Sequence, residues 1–95
     1  MVEQGDILKV NGIKNSVLVV SKNAINKSGC VIVCPILAGS APATLSYPID
    51  TDRYVLCDNF RQLDIESRGF SYDGRVSMAH LINILDRVQS IFDYY

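Results

Sequence analysis

The sequence predicts a small, mainly β domain that curls into a barrel and is closed by one helix at its C-terminal end. The 95 residues are enough for one domain, spanning residues 1–95, and too few for two. Short β-branched runs alternate with turn residues through most of the chain. The longest stretch with helical periodicity comes last, where one helix can cover a curled sheet.

The first two strands are predicted to form a tight hairpin. Residues 7–10 and 13–20 are rich in Ile, Leu and Val, and Asn11 and Gly12 stand between them. Both central positions of a type I′ turn need a positive φ angle, which Asn and Gly adopt readily. Residues 17–20 are apolar at every position, which is typical of a strand buried on both faces.

A short helical turn and a buried strand are predicted next. Ser21 can cap a turn over residues 22–27, which ends at residues 28–29. The β-branched, apolar run 30–37 predicts the third strand.

A loop and two further strands are predicted in the middle of the chain. The Ala, Gly, Ser, Pro and Thr of residues 38–46 predict a loop. Residues 47–50 predict an edge strand because Pro48 lacks the backbone donor that a central strand needs. A turn at residues 51–53 leads into a strand over residues 54–57.

The next segment is predicted to be extended at first and then to turn twice. Residues 58–64 continue in extended form, and residues 65–69 make one helical turn that the glycine ends. Asp73 and Gly74 predict a turn within residues 70–76.

The last element is predicted to be an amphipathic helix that Ser77 caps. Six apolar residues recur at three- and four-residue spacing and predict one apolar face. They are Met78, Leu81, Ile82, Leu85, Val88 and Phe92.

The composition narrows the classes of function. The net charge of −1 shows none of the basic excess that is typical of a dedicated nucleic-acid binder. The three cysteines lie in apolar runs and are predicted to be buried, reduced thiols, and His80 is the only histidine, so no zinc or other metal site and no cofactor are expected. No signal peptide or membrane span is recognised, and we expect a cytoplasmic protein.

Five segments, taken in order, resemble those of the MazF/PemK family, the toxin halves of type II toxin–antitoxin pairs, which share an SH3-like barrel. They are residues 5–7 (Gly-Asp-Ile), 20–26 (Val-Ser-Lys-Asn-Ala-Ile-Asn), 31–36 (Val-Ile-Val-Cys-Pro-Ile), 55–64 with Arg68-Gly69, and 74–77 (Gly-Arg-Val-Ser). The resemblance implies metal-independent cleavage of single-stranded RNA. A base activates the ribose 2′-hydroxyl, a cation stabilises the phosphorane, and an acid protonates the leaving 5′-oxygen.

The residues at the family's catalytic positions differ here. In MazF-like members an Arg in the second strand and a Thr at the end of the third do this work, and Asn15 and either Leu37 or Ala38 stand at those positions. In the PemK-like branch an Asp and an Arg near the fifth strand are implicated, and Asp58 and Leu56 stand there.

The family's first loop, which often carries a histidine, is reduced here to Asn11-Gly12.

The candidate catalytic residues are therefore Asp58 as general base, with Lys14 and Asn15 in place of the missing arginine. Lys14 supplies a point charge without the bidentate fork that suits a phosphate. The candidate RNA-binding residues are Arg61, Thr44, Ser46 and Lys22.

Two functions other than that of a ribonuclease remain as hypotheses. The fold can serve as a non-catalytic module that binds a protein or nucleic acid. It can also serve as a toxin of the related CcdB type, which binds gyrase through a C-terminal aromatic end, as residues 92–95 (Phe-Asp-Tyr-Tyr) suggest. The resemblance further implies a homodimer, with Leu37, Leu81 and Leu85 as candidates for its interface or the core, and an acidic, partly disordered antitoxin peptide as partner.

Overall fold

A computed structural model of the chain describes residues 1–42 and 45–92. It contains β1 (Asp6–Val10), β2 (Val17–Val19), α1 (Asn23–Asn26), β3 (Cys30–Ala38), β4 (Ser46–Pro48), β5 (Arg53–Leu56), β6 (Arg61–Asp64), α2 (Ile65–Arg68), β7 (Phe70–Arg75) and α3 (Met78–Ser90). The fold is mainly β with a C-terminal helix, as the sequence predicts.

The strands form one antiparallel sheet in the order β4-β5-β3-β2-β1-β7, and β6 also pairs with β3. The long strand β3 organises this sheet, because β2 lies along one of its edges while β5 and β6 share the other. The sheet curls, but the ladder does not close on itself within the described residues. None of the described helices is both long and apolar enough to cross a membrane.

The core consists of two clusters on opposite faces of the central strands. The first cluster contains Leu63 and four valines of the central strands, Val17, Val19, Val31 and Val33. The intervening residues face a second cluster, which α3 covers; they include Leu18, Cys34 and Ile36, packed with Ile84. Residues 17–20 are all buried, so the predicted strand with two buried faces is confirmed.

The tight hairpin between the first two strands was predicted wrongly. Strand β2 begins at Val17, and Ile7 pairs with Leu18, so residues 11–16 form the connection. Asn11 and Gly12 do lie in a turn, with φ +84° at the glycine. The Asn11 N–H, however, donates to the Gly69 carbonyl at 2.9 Å. Asn11 is therefore bonded to the segment before β7 and not to β2.

The predicted turn at Asp73-Gly74 is a β-bulge. Strand β7 runs without interruption, and Asp6 pairs with Arg75 while Leu8 pairs with Tyr72. Two residues of β7 therefore oppose one residue of β1, and Gly74 takes φ +116° in the bulge.

Ser21 does not cap α1 in the predicted manner. Its hydroxyl donates to the Asn26 side chain and accepts the Ile32 N–H at 2.9 Å, so it joins α1 to β3. Ser77, in contrast, caps α3 as predicted, because its hydroxyl accepts the His80 N–H at 3.2 Å.

The apolar face of α3 is rotated from the predicted one. Leu81 and Ile84 are buried, and Leu85 and Val88 pack against the second cluster. Met78 and Ile82 remain 65% and 52% exposed, as does Phe92 at 69%. The spacing 81, 84, 85 and 88 fits one stripe of a helix, so Met78 and Ile82 fall to the side of it.

Candidate functional site

One face of β3 forms the floor of an open cleft of about 200 Å³. Val33, Pro35 and Leu37 occupy alternate positions of this strand, so their side chains share that face. Val17 of β2 and Leu63 of β6 extend the floor on either side of β3. The floor of the cleft is therefore apolar.

Polar side chains form two walls above this floor. Lys14 and Asn15 belong to the connection between β1 and β2. Asn59 lies between β5 and β6, and Arg61 is the first residue of β6. Because β2 and β6 lie along opposite edges of β3, the two walls face each other across it. Each wall carries one cation and one carboxamide.

The wall with Asn59 forms because the chain stops pairing with β3 after β5 and resumes at β6. Val55 pairs with Ile36 and Arg61 with Val33, so residues 56–60 stand opposite only residues 34–35 of β3. Every second residue of the extended segment that follows faces the same side, so the cleft is lined by Asn59, Arg61 and Leu63.

The opposite wall is fixed to the rest of the sheet through Ser16. Its hydroxyl donates to Oδ2 of Asp73 in the bulge of β7 at 3.0 Å, and its carbonyl accepts the Ile36 N–H at 2.9 Å. These bonds position the end of the connection that carries Lys14 and Asn15.

The cleft is lined by positive charge although the whole chain carries a net charge of −1. Lys14 and Arg61 are both exposed, and none of the described Asp and Glu residues lines the cleft. Within residues 1–42 and 45–92, no hydrogen bond or ion pair engages the side chains of Lys14, Asn15, Asn59 or Arg61. These four groups are therefore available to a ligand, and their charge favours an anion.

Asp58 does not line the cleft. It is exposed in the turn after β5, and its charge acts on two thiols of the second core cluster. Burial raises the pKa of Cys34 to about 12, with smaller contributions from Cys57 and Asp58. Burial likewise raises the pKa of Cys57 to about 11, while Arg87 lowers it and Asp58 raises it.

The remaining predicted RNA-binding residues lie elsewhere. Ser46 is buried at the start of β4, and Lys22 borders a separate groove beside the exposed Met78 and Ile82. Thr44 lies outside the described residues.

Of the residues predicted for a dimer interface, Leu37 is half-buried in the cleft and Leu85 is half-buried on α3. Leu81 is only 5% exposed and so belongs to the interior of this chain.

Two of the thiols lie in the core, and Phe92 is the described part of the C-terminal aromatic end. The three cysteines are free; Cys34 and Cys57 are buried as predicted, whereas Cys30 is half-buried. No three of the described His, Cys, Asp and Glu residues are placed to hold a metal ion. The ring of Phe92 lies 5.5 Å from that of Phe60, and the rest of the C-terminal aromatic end, residues 93–95, lies outside the described part.

Asn59 is the functional candidate that sequence reasoning missed. The sequence predicts an extended segment at this residue, in which Asn59 shares a face with Arg61 and Leu63. That spacing, together with the assignment of Arg61 to the site, would have identified it.

The fold and the cleft together define a small β domain with an apolar floor and cationic walls, which can hold a polyanion. The chain belongs to the family of PemK-like, MazF-like toxins of type II toxin–antitoxin systems, whose profile matches residues 3–92. No protein with a curated description matches it in sequence.

Solved structures with the same fold include three relatives of low sequence identity. MazF in the MazE–MazF complex of Deinococcus radiodurans is 21% identical, with 96% of this chain and 95% of that chain covered and a TM-score of 0.86. An endoribonuclease from a mycobacterial species, in complex with its cognate antitoxin, is 20% identical, with 97% and 95% covered and a TM-score of 0.81. The Mycobacterium tuberculosis toxin MazF-mt6 is 17% identical, with 95% and 98% covered and a TM-score of 0.72.

Proposed function

We propose that this toxin binds single-stranded RNA in the cleft and cleaves it without a metal ion. The observation that carries the proposal is the charge of the cleft, where Lys14 and Arg61 stand on opposite walls and no carboxylate of residues 1–42 and 45–92 lines the surface. Two of the nine Lys and Arg residues stand here, where a phosphate backbone would need them, although the chain carries a net charge of −1. The mycobacterial relative of the same fold is an endoribonuclease, which supports this assignment.

The chemistry would follow an internal displacement at phosphorus. A base removes the proton of the ribose 2′-hydroxyl, the 2′-oxygen bonds to phosphorus, and the bond to the 5′-oxygen breaks. Lys14 and Arg61 would stabilise the extra negative charge of the phosphorane. Among the lining residues only the Lys14 ammonium can readily give a proton to the leaving oxygen, since an arginine does not lose its proton in proteins.

Asp58 is our candidate for the base. It is exposed in the turn after β5, directly before Asn59, and its role as base requires that this turn rearrange when RNA binds, because Asp58 does not line the cleft. The products would be a 2′,3′-cyclic phosphate and a 5′-hydroxyl.

RNA binding without cleavage is the second candidate. One observation favours it: in the described part of the chain neither a carboxylate nor a histidine lines the cleft, and these are the two usual sources of a general base. In this case the toxin would act by holding RNA rather than by cutting it.

The experiment that separates the two is incubation of a long, mixed-sequence single-stranded RNA with the purified protein in EDTA. Asp58→Asn and Lys14→Ala are tested beside Lys27→Ala, an exposed lysine that does not line the cleft. Cleavage that leaves a cyclic phosphate, and that only the first two changes weaken, would support the ribonuclease. Intact RNA that is still retained by the protein would support the binding module, and absence of both would reject RNA as the ligand.

The proposed partners follow from the same surface. An acidic antitoxin peptide fits the cleft because the described lining would offer it two cations and no carboxylate. A homodimer would cover the half-buried Leu85 together with the neighbouring exposed Met78 and Ile82. Sedimentation at micromolar concentration tests the dimer, and a monomer would contradict it. The free cysteines suit action in the cytoplasm, where thiols stay reduced.

A further inference from the structure

The carboxamides of Asn15 and Asn59 stand on opposite walls of the same cleft. Neither side chain has a hydrogen-bond partner within the described residues. A carboxamide offers one acceptor and one pair of donors side by side, so each wall can pair with a donor–acceptor edge of a ligand.

The floor between them suits a flat, apolar ring. Pro35, Leu37 and Leu56 line the cleft without a polar side chain, and the space of about 200 Å³ is open on one side. A nucleobase combines an apolar face with polar edges, and proteins that bind single strands hold unstacked bases in this manner.

We infer that the cleft holds a single unstacked adenine, whose two edges the carboxamides of Asn15 and Asn59 recognise. This inference rests on the proposed binding of RNA.

Adenine fits two carboxamides because its 6-amino group stands between two ring acceptors, N1 and N7. Each hydrogen of the amino group can be donated to one carboxamide oxygen, and each ring nitrogen can accept from one carboxamide nitrogen. Pairing of Asn with the N6 and N7 atoms of adenine is a common base contact.

The other bases match this pair of walls less well. Cytosine has one such donor–acceptor edge, so only one carboxamide would be satisfied. Guanine can match one carboxamide with its O6 acceptor and N1–H donor, but its N7 edge presents two acceptors, O6 and N7, and leaves the oxygen of the second carboxamide without a donor. Arg61 could read the other edge of guanine, but the proposed function assigns that guanidinium to a phosphate.

The experiment measures the affinity of the full chain for fluorescent, fully 2′-O-methylated hexamers, which cannot be cleaved through a 2′-hydroxyl. The hexamers are all uridine or contain one central adenine, guanine or cytosine. Asn15→Ala and Asn59→Ala are compared with Gln62→Ala, an exposed carboxamide on β6 that does not line the cleft.

We expect the adenine hexamer to bind the unchanged protein about tenfold or more tightly than the other three. Each asparagine variant should lose most of this preference, and Gln62→Ala should keep it. Equal affinity for all four hexamers, or tighter binding of guanine, would overturn the inference while leaving RNA binding intact. If none of the hexamers binds and a long unmodified RNA is also not retained, the proposed function itself fails.

Discussion

The hydroxyl of Tyr47 in β4 lies 2.8 Å from Nδ1 of His80 in α3. Asn83 donates to the same hydroxyl at 3.4 Å, and the guanidinium of Arg87 stacks over the tyrosine ring at 4.8 Å. Three side chains of the helix therefore meet one side chain of the edge strand. This relationship gives His80 a structural role in joining β4 to α3 and separates it from the cleft.

Removing the Tyr47 hydroxyl should weaken the attachment of the edge strand. Tyr47→Phe keeps the ring against the second core cluster but removes the hydroxyl that His80 and Asn83 contact, so we expect a loss of about 1 kcal/mol in the free energy of unfolding. Urea unfolding measures it. Tyr54→Phe is the matched control, because the Tyr54 hydroxyl bonds to no described residue. Equal effects of the two changes would contradict the structural role.

Two isoleucines on α3 should respond differently to truncation. Ile84 is fully buried, so Ile84→Ala should cost about 2–5 kcal/mol through lost burial and a cavity. Ile82 is 52% exposed, and Ile82→Ala should change the monomer's stability by less than about 0.5 kcal/mol. Denaturation at two protein concentrations measures both. If only the Ile82 variant shows an effect that depends on concentration, the exposed flank of α3 is an interface between copies.

The buried thiols should make the protein less stable at alkaline pH. The folded state holds the pKa of Cys34 near 12, raised from 9.0 mainly by burial. Below pH 9.0 both states keep the proton, so the thiol adds no pH dependence. Between pH 9.0 and 12 the unfolded chain loses the proton and the folded chain keeps it, so stability falls as pH rises.

The slope of stability against pH above 9.0 measures this contribution. Cys34→Ala should flatten the slope, whatever its effect on stability at neutral pH. Cys30→Ala removes a half-buried thiol and serves as the control. An unchanged slope in the Cys34 variant would show that its proton is not retained on folding.

The strands of this fold could be predicted because their signals are local. The uninterrupted apolar run at residues 17–20 and the proline in β4 each identify a strand and its place in the sheet. The connection between β1 and β2 could not be predicted in this way. Asn11-Gly12 carries a strong local hairpin signal, and the bond from Asn11 to Gly69, far along the chain, overrides it.

The cleft could be predicted in part. The resemblance to known toxins brought Lys14, Asn15, Leu37 and Arg61 forward, and all four line one surface. The same resemblance predicts Asp58 in the site, but the chain between β5 and β6 places Asn59 in the cleft lining and leaves Asp58 out of it. A register change of this kind has no local signature, because it depends on how two distant strands share the edge of β3.

The affinity for RNA should depend on salt through Lys14 and Arg61. Each phosphate that a cation neutralises on a single strand contributes about −0.7 to the slope of log affinity against log salt. Lys14→Ala and Arg61→Ala should therefore each make this slope shallower by about 0.7. Titration of a 2′-O-methylated RNA between low and moderate salt measures it, with Lys27→Ala as the control.

Arg61→Lys separates charge from geometry at the same position. This variant should keep the slope of log affinity against log salt, since the charge remains. It should still weaken binding, though less than Arg61→Ala does, because an ammonium cannot form the two parallel hydrogen bonds that a guanidinium gives a phosphate. If both alanine variants keep the slope of the unchanged protein, the RNA backbone does not run along these walls. The cleft would then be a site for the uncharged parts of its ligand only, and the cations that bind phosphate would have to lie elsewhere.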